Sequence, residues 1–377
     1  MITIREVTTK QDLKKFIRLP WKIYKGVEQW VPPLLIEEKE IFNPEKHPFY
    51  KHAVVKLFLA ERDGTICGRI AGIVNFIHNE FHQDKVGFFG FFECINDRAI
   101  ARMLFDRVAA FLRFRNLDTM RGPMNFSTNE TCGLLVDAFH LPPCVMMPYN
   151  PPYYAALIED YGFTKSKDLL AYQLLRENFN LRVIDIAERL KQKMNLTVRN
   201  INLREIDREM QIIKSVYNSA WEKNWGFVPM TDDEFVYLAA KMKQIADARL
   251  CVIIEHEGKP ISFMLNLPDI NILLKKINGR LFPFGIFILL FGIKRLPRFR
   301  TLTLGVIKEY RGKGMESILY TYNYSISKEI GVTEAELSWV LEDNTIMVNG
   351  LERLNCVRSK TYRIYDYPLT RKDESAV

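Results

Sequence analysis

The chain has 377 residues, 48% of them hydrophobic, and a net charge of +8. This length and composition suit two or three globular domains with sizeable cores, and the positive charge permits an anionic partner such as a nucleotide cofactor, a membrane surface or nucleic acid. The six cysteines show no Cys-x-x-Cys pair and no regular spacing, which excludes a disulfide framework and predicts reduced, buried thiols in a cytoplasmic protein.

Sequence landmarks recur along the chain at a nearly constant distance. Three pairs of positions match: Gly64 with Gly258, Tyr161 with Leu354, and Tyr172 with Tyr365. Their offsets are 258 − 64 = 194, 354 − 161 = 193 and 365 − 172 = 193 residues. A tandem duplication produces such offsets. We therefore predict one domain over residues 1–177, a linker with a helix over 178–200, and a second domain over 201–377.

The predicted elements follow the same order in both halves: helix, hairpin, strand, helix, strand, helix and strand. Their bounds come from helical or alternating apolar spacing and from glycine-bearing turns. The main predictions are a strand at Val86–Phe92, helices at Leu181–Met194 and Leu203–Trp221, a hairpin of Arg249–Glu255 with Pro260–Leu267, a strand at Arg300–Ile307, a helix at Glu316–Ile330, a strand at Glu334–Val340, a helix from Asn344 and a strand at Arg358–Tyr367. The order predicts an α+β fold (mixed α/β), in which each domain is a twisted mixed central sheet flanked by helices.

A basic turn with two glycines follows the strand predicted at Arg300–Ile307. The turn is Arg311-Gly312-Lys313-Gly314-Met315, and the residues after it are predicted to be helical. Glycines allow backbone N–H groups to approach an oxyanion closely, and a helix N-terminus adds a favourable dipole. The turn therefore predicts a binding site for the phosphates of a cofactor.

This turn and the order of elements resemble the Gcn5-related N-acyltransferase (GNAT) superfamily, whose phosphate motif is Gln/Arg-x-x-Gly-x-Gly/Ala. The resemblance implies two tandem GNAT-like domains and a coenzyme A thioester as co-substrate. It also implies that the turn amides bind the pyrophosphate and that the preceding strand pairs with the pantetheine arm. The positions carried over are Leu304, Gly305 and Val306 for the arm, Arg311, Gly312, Lys313, Gly314 and Met315 for the pyrophosphate, and Asn344 at the last helix.

The sequence departs from the family pattern at three places. Glu316 replaces the last small residue of the motif, Leu351 stands where a general-acid tyrosine is common, and Asn355-Cys356 replaces Gly-Phe. The proton donor to the leaving thiolate is therefore left open. The whole-chain pattern resembles tandem GNAT-type bacterial proteins, and some members of that group are similar to acyl-CoA-dependent ceramide synthases.

The first half lacks the phosphate turn, because Glu93–Ala99 follows its strand and contains no glycine. We therefore expect that this half does not bind coenzyme A. It carries a dense polar run next to the aromatic stretch Pro148–Tyr154. The run is interpreted either as the wall of an acceptor pocket or as a solvated loop. The candidate substrate-binding residues are Asn125, Ser127, Asn129 and Tyr149.

An uncharged run, Leu281–Ile293, lies within an insertion over residues 270–298, and lysines and arginines flank it. The run is too short for a membrane span, which needs about 20 apolar residues. Three interpretations remain: an internal helix, the lining of an acyl-chain tunnel, or a peripheral contact with an anionic membrane. The last two favour a lipid-like substrate.

The resemblance and the insertion together predict an acyl-CoA-dependent N-acyltransferase that acts on an amine, with a lipid amine such as a sphingoid base preferred. Acyl transfer needs a group that takes the ammonium proton, and the candidate carboxylates are Glu342, Glu316 and Glu130. The alternatives are a Fem-like transferase that uses aminoacyl-tRNA and a non-catalytic acyl-CoA-binding protein. No metal is expected, since His78 and His82 lack further ligands, and no motif predicts nucleic-acid binding.

Overall fold

The structure is a computed structural model that describes residues 1–221 and 224–369. Its contacts divide the chain into two compact units. The first, called the N-unit, consists of Met1–Leu169, Asn278–Arg280 and, at the end of the described chain, residues 361–369. The second, called the C-unit, consists of Leu170–Ile277 and Leu281–Lys360.

The N-unit contains most of the first half of the chain. Its helices and strands are β1 (Ile2–Glu6), α1 (Lys10–Ile23), α2 (Leu35–Ile41), β2 (Ala53–Arg62), β3 (Thr65–Asn75), α3 (Phe76–His82), β4 (Val86–Cys94), α4 (Arg98–Phe114), β5 (Thr119–Gly122), β6 (Met124–Asn125), β7 (Thr131–Cys132), β8 (Leu134–Leu135) and α5 (Tyr154–Glu159). The strand β9 (Thr164–Leu175) begins in this unit and ends in the C-unit.

The C-unit contains most of the second half. Its helices and strands are α6 (Arg182–Lys193), β10 (Leu196–Asn200), α7 (Ile206–Trp221), α8 (Asp232–Ile245), β11 (Val252–His256), β12 (Lys259–Pro268), α9 (Asn271–Ile277), α10 (Gly285–Gly292), β13 (Arg298–Val306), α11 (Met315–Ile330), β14 (Glu334–Leu341) and α12 (Thr345–Arg353). The strand β15 (Val357–Pro368) begins here and ends in the N-unit. Residues 178–200, predicted as a linker with a helix, form α6 and β10 of this unit.

A long helix connects two parallel strands in the N-unit. β1 to β4 pair antiparallel in order, and β4 pairs in parallel with β5 at Val86–Phe88. α4 connects these two strands, and its residues Leu104, Val108 and Leu112 are fully buried. Their spacing places them on one side of the helix, so they form an apolar stripe that covers the sheet.

The C-unit has the same arrangement. β10 to β13 pair antiparallel in order, β13 pairs in parallel with β14, and α11 connects the last two. α11 also packs against α6. The predicted mixed α/β architecture, with helices flanking the sheets, is therefore confirmed.

Matching turns support the predicted duplication. The β2–β3 hairpin turns at Asp63 and Gly64, with φ of 49° and 77°, and the β11–β12 hairpin turns at Glu257 and Gly258, with φ of 51° and 74°. Positive φ at both central residues is typical of a type I′ turn, which favours glycine. β9 and β15 begin 357 − 164 = 193 residues apart, which is the offset of the sequence landmarks.

The uncharged run Leu281–Ile293 contains α10, but an internal helix is the wrong interpretation, because its aromatic side chains are exposed. All six cysteines are buried thiols. Among the described residues, no helix is long and apolar enough to cross a membrane, and no three His, Cys, Asp or Glu side chains are grouped to hold a metal ion.

Candidate active site

A cleft opens in the C-unit where two parallel strands separate. β13 and β14 are paired as far as Thr301 opposite Leu337. β13 continues beyond this point and stays paired with β12 on its other side, while its described pairing with β14 has ended. Residues 302–306 therefore present backbone N–H and C=O groups to the cleft. An extended ligand that carries amide groups is able to pair with this edge.

The three residues predicted to contact the arm of the cofactor lie on this edge: Leu304, Gly305 and Val306. Gly305 is buried, and a Cβ at this position would lie 2.6 Å from the Phe263 ring and 3.0 Å from Trp221. Glycine therefore lets the strand run close to both rings. The carbonyl of Gly305 accepts a hydrogen bond from the Ser262 hydroxyl at 2.7 Å, which fixes the strand on the β12 side.

The predicted phosphate turn follows β13 and begins α11. Gly312 and Gly314 have φ of 71° and 82°, a conformation in which other residues are strained. A Cβ at Gly312 would meet open space, whereas one at Gly314 would lie 2.6 Å from Leu190 of α6. The Ser317 amide donates to the Gly314 carbonyl at 3.1 Å, and the amides of Met315 and Glu316 come too early in α11 to have a carbonyl partner within the helix. The amides and the helix dipole therefore favour an anion at the turn.

The two basic residues of the turn have different surroundings. The Arg311 guanidinium donates to the carbonyls of Ser219 and Ala220, at 3.1 and 2.9 Å, in the last turn of α7. Lys313 is exposed, and its ammonium lies 5.0 Å from the centre of the Tyr310 ring. Arg311 therefore stabilises the end of α7, and Lys313 is the side chain better placed to meet a phosphate.

A buried polar network lies at the closed end of the cleft. Ser338 follows the last parallel pair; its hydroxyl accepts a hydrogen bond from Arg300 Nε at 2.9 Å and donates to Glu336 Oε1 at 2.9 Å. Lys360 Nζ lies 2.6 Å from Glu336 Oε2, and all four residues are more than nine-tenths buried. Because water is excluded, these groups depend on one another for hydrogen bonds and charge. They form a buried polar cluster next to the point where β13 and β14 separate.

None of these four residues is among the candidates predicted from the sequence. The sequence does show polar and apolar residues alternating along β14. Glu334, Glu336 and Ser338 occupy one side of the strand, and Ala335 and Leu337 occupy the other. Charged residues on one side of a buried strand need partners. The alternation therefore indicates a buried polar site, although it does not identify Arg300 or Lys360 as the partners.

The predicted proton acceptors of the C-unit lie at the ends of elements. Glu342 follows the last residue of β14, and Glu316 lies in the first turn of α11, where a carboxylate stabilises the helix dipole. Asn344 Oδ1 accepts a hydrogen bond from the Met347 amide at 3.2 Å and caps α12. Leu351, which stands at the family's tyrosine position, is fully buried.

The polar run of the N-unit makes hydrogen bonds within its own unit. Asn125 Oδ1 accepts from the Phe91 amide at 2.7 Å, and Ser127 Oγ accepts from the Asn129 amide at 3.2 Å. The Tyr149 hydroxyl donates to a backbone carbonyl at 2.9 Å. These contacts organise the loop, and a role of its residues in substrate binding stays a prediction.

In the N-unit, the chain itself fills the position of the cleft. β4 and β5 are paired as far as Phe88 opposite Arg121, and β6 then runs beside β4. A Cβ at Gly90 of β4 would lie 2.0 Å from the Met124 carbonyl oxygen, so glycine is required for this approach. The occupied strand edge gives a physical reason to expect no coenzyme A in this half.

Two carboxylates of the N-unit have buried partners. Glu93, at the end of β4, accepts a hydrogen bond from the Tyr154 hydroxyl at 2.7 Å, and burial raises its pKa to about 7 against the opposing effect of Arg69. Glu130 Oε1 lies 3.6 Å from Nε2 of the buried His47. Glu93 was not selected from the sequence, because its tyrosine partner is 61 residues away in the chain.

An open edge between parallel strands, followed by a glycine turn that begins a helix, is the arrangement of a GNAT-type fold in the C-unit, and the N-unit repeats its order of strands and connecting helix. The chain is 33% identical to protein YghO of Escherichia coli over 371 residues, which cover 96% of this chain and 94% of that protein. It is 32% identical to the bacterial ceramide synthase of Caulobacter vibrioides over 378 residues, which cover 98% of each. The chain therefore belongs to the protein family that contains these two proteins.

A solved structure supports the fold. A tandem GNAT protein from the clavulanic acid biosynthesis pathway matches 99% of this chain and 100% of its own chain, with a TM-score of 0.59. The identity is 11%, so this similarity concerns the fold alone. No family model matches the chain.

Proposed function

We propose that the protein is an acyl-CoA-dependent N-acyltransferase whose cofactor site is the cleft of the C-unit. The observation that carries the proposal is the order of features along the cleft: an anion-favouring turn, an open strand edge and a buried polar cluster where the strands separate. Acyl-CoA contains a pyrophosphate, an amide-containing arm and a thioester in the same order. The space at Gly312 and the edge of β13 beyond Thr301, where the described pairing with β14 has ended, fit the first two parts of this molecule.

The proposed reaction forms a bond between an amine nitrogen and the thioester carbonyl carbon and breaks the carbon–sulfur bond. The ammonium must lose a proton before it attacks, and the leaving thiolate takes up a proton afterwards. Backbone N–H groups of residues 302–306 are suited to polarise the carbonyl oxygen. Glu342 is the proposed acceptor of the ammonium proton, since it directly follows β14, the strand that forms the other wall of the cleft.

A long-chain amine such as a sphingoid base is the proposed acceptor. One supporting observation is the similarity over 98% of the chain to a protein named bacterial ceramide synthase. The other is the exposed apolar surface of α10 in the same unit as the cleft. A water-soluble amine gives no reason for such a surface.

Calorimetry with acetyl-CoA and palmitoyl-CoA tests the cofactor site, using Gly312→Trp to fill it. Gly331→Trp is the matched control, because Gly331 at the other end of α11 has φ of 79° and also faces open space. We expect saturable binding that is lost in Gly312→Trp and kept in Gly331→Trp. If the wild-type protein binds neither thioester, the coenzyme A proposal is wrong and aminoacyl-tRNA becomes the donor to test.

Turnover tests the chemistry. Palmitoyl-CoA is incubated with sphinganine, and the released thiol and the amide product are measured by colorimetry and mass spectrometry. We expect equal amounts of thiol and amide, and a greatly reduced rate in Glu342→Gln with thioester binding retained. Saturable binding without amide formation from sphinganine or short-chain amines would instead identify a non-catalytic acyl-CoA-binding protein.

A further inference from the structure

We propose that α10 is a docking element for the surface of an anionic membrane. Phe284, Phe287 and Phe291 lie three and four residues apart, so they project from one side of the helical segment, and they are 73%, 55% and 73% exposed. Leu290 on the same segment is 62% exposed, and Phe282 just before it is 72% exposed. These five side chains form the apolar face of α10. A contiguous exposed apolar surface of this kind marks an interaction site.

The opposite side of α10 is held against the protein. Gly285 is buried, and Gly292, seven residues later, lies on the same side of the helix. A Cβ at Gly292 would lie 2.7 Å from the Leu273 side chain of α9. The small inner side therefore lets α10 pack closely on its neighbour, and the rings face outward.

The composition of α10 does not fit an ordinary surface helix. Such helices place polar side chains outward, whereas all eight residues of α10, Gly285–Gly292, are apolar or glycine. Eight residues are too few to cross a bilayer. A short helix of this kind is suited to lie in the interface with its apolar face among the acyl chains.

The charges around α10 indicate an anionic surface. Four exposed cations flank the helix: Lys275, Lys276, Lys294 and Arg295. The chain contains no acidic residue between Asp269 and Glu309. Basic residues next to an interfacial apolar segment bind anionic lipid headgroups. The same cations argue against a second copy of the chain as the occupant, since a symmetric contact would bring like charges together.

Vesicle sedimentation tests the proposal without acyl-CoA, so its outcome is separate from that of the acyl-transfer proposal. The probes are vesicles of phosphatidylcholine alone and of phosphatidylcholine mixed with phosphatidylglycerol. We expect the wild-type protein to bind the mixed vesicles, at least about tenfold more tightly than the neutral ones, and to be released by salt. Equal binding to both vesicle types would contradict charge recognition, and binding to neither would overturn the proposal.

Three variants locate the binding surface. Phe287→Ser with Leu290→Ser and Phe291→Ser removes most of the apolar face, and Lys294→Gln with Arg295→Gln removes two cations. Val236→Ser is the matched control, because Val236 of α8 is a 64% exposed apolar residue elsewhere in the C-unit. We expect both sets to weaken binding to the mixed vesicles and the control to leave it unchanged. Unchanged binding by the triple variant would overturn the proposal.

A fluorescent label distinguishes insertion from self-association. The six native cysteines are buried, so Phe284→Cys can be labelled selectively with a polarity-sensitive dye, and Val236→Cys serves as the control. We expect a blue shift at position 284, and none at 236, when mixed vesicles are added. A blue shift at 284 that depends on protein concentration and not on vesicles would identify a second copy as the occupant and overturn the proposal.

Discussion

The Lys360 ammonium and the Glu336 carboxylate form an ion pair at 2.6 Å, and both residues are more than nine-tenths buried. Removing one partner of a buried pair costs about 3–5 kcal/mol, whereas replacing both with apolar residues of similar size costs much less. We therefore expect Lys360→Met to lower the free energy of unfolding by about 3 kcal/mol or more. Lys360→Met combined with Glu336→Leu should lower it by less. Urea denaturation measures both, and a larger loss in the double variant would contradict the buried pairing.

Glu93 makes stability depend on pH. Burial raises its pKa from 4.5 to about 7, so the folded state holds the proton more tightly than the unfolded state. The contribution to stability is present below pH 4.5 and is lost as the pH rises through 7, a difference of about 3 kcal/mol. Glu93→Gln stays neutral, so we expect its free energy of unfolding to rise by up to this amount relative to wild type between pH 4.5 and 8. Urea denaturation at both pH values tests this, with the exposed Glu45→Gln as the control; a constant difference between wild type and Glu93→Gln would contradict it.

At the scale of elements, α6 restricts the turn that begins α11. Alanine at Gly312 or Gly314 should cost about 1 kcal/mol from the positive φ. At Gly314 the new Cβ also meets Leu190, which should add about 1 kcal/mol of overpacking. We expect Gly314→Ala to be less stable than Gly312→Ala in thermal denaturation, with Gly331→Ala resembling the latter. Equal losses at all three positions would mean that α6 adds no restriction.

Most helices and strands could be predicted from the sequence, because the apolar spacing and the turn residues that mark them are local. The strand predicted at Arg300–Ile307 is found at Arg298–Val306, and the helix predicted from Glu316 begins one residue earlier. Apolar periodicity and glycine turns decide such bounds within a few residues. The exposure of α10 could not be predicted in the same way, and three interpretations of its segment stayed open. A uniformly apolar segment has no periodicity that distinguishes its inner side from its outer side.

The candidate site could be predicted only where its motif is local. The turn at Gly312 and Gly314 was found because its residues are adjacent. The hydrogen-bond partner of Arg311 could not be predicted, because the carbonyl of Ser219 lies 92 residues away. An arginine in a phosphate motif also gives no sign that it caps another helix. The buried network also depends on a distant residue, since Lys360 is 24 residues from Glu336.

At the scale of the whole molecule, two strands cross from one unit to the other. β9 begins in the N-unit and ends in the C-unit, and β15 begins in the C-unit and ends in the N-unit. The end of β15 belongs to the N-unit, where Tyr365 lies opposite Gly122 of β5. Tyr365 is 1% exposed, and its hydroxyl donates to Glu159 Oε1 at 2.8 Å. The core of the N-unit therefore contains residues from the last part of the chain, and it cannot be completed until almost the whole chain has been synthesised.

The duplication supplies a matched pair of variants to test this membership. Tyr172 occupies the position 193 residues before Tyr365, is 3% exposed, and belongs to the core of the C-unit. Replacing a buried aromatic residue with alanine costs about 3–5 kcal/mol and loosens the surrounding structure. In native-state hydrogen exchange, we expect Tyr365→Ala to lower protection in β4 and β5, and Tyr172→Ala to lower it in β13 and β14. Tyr365, in the second half of the chain, would then affect the unit formed mostly by the first half. Tyr172, in the first half, would affect the unit formed mostly by the second half. If Tyr365→Ala instead exposed β13 and β14, the end of β15 would belong to the C-unit, and the N-unit core would be complete without it.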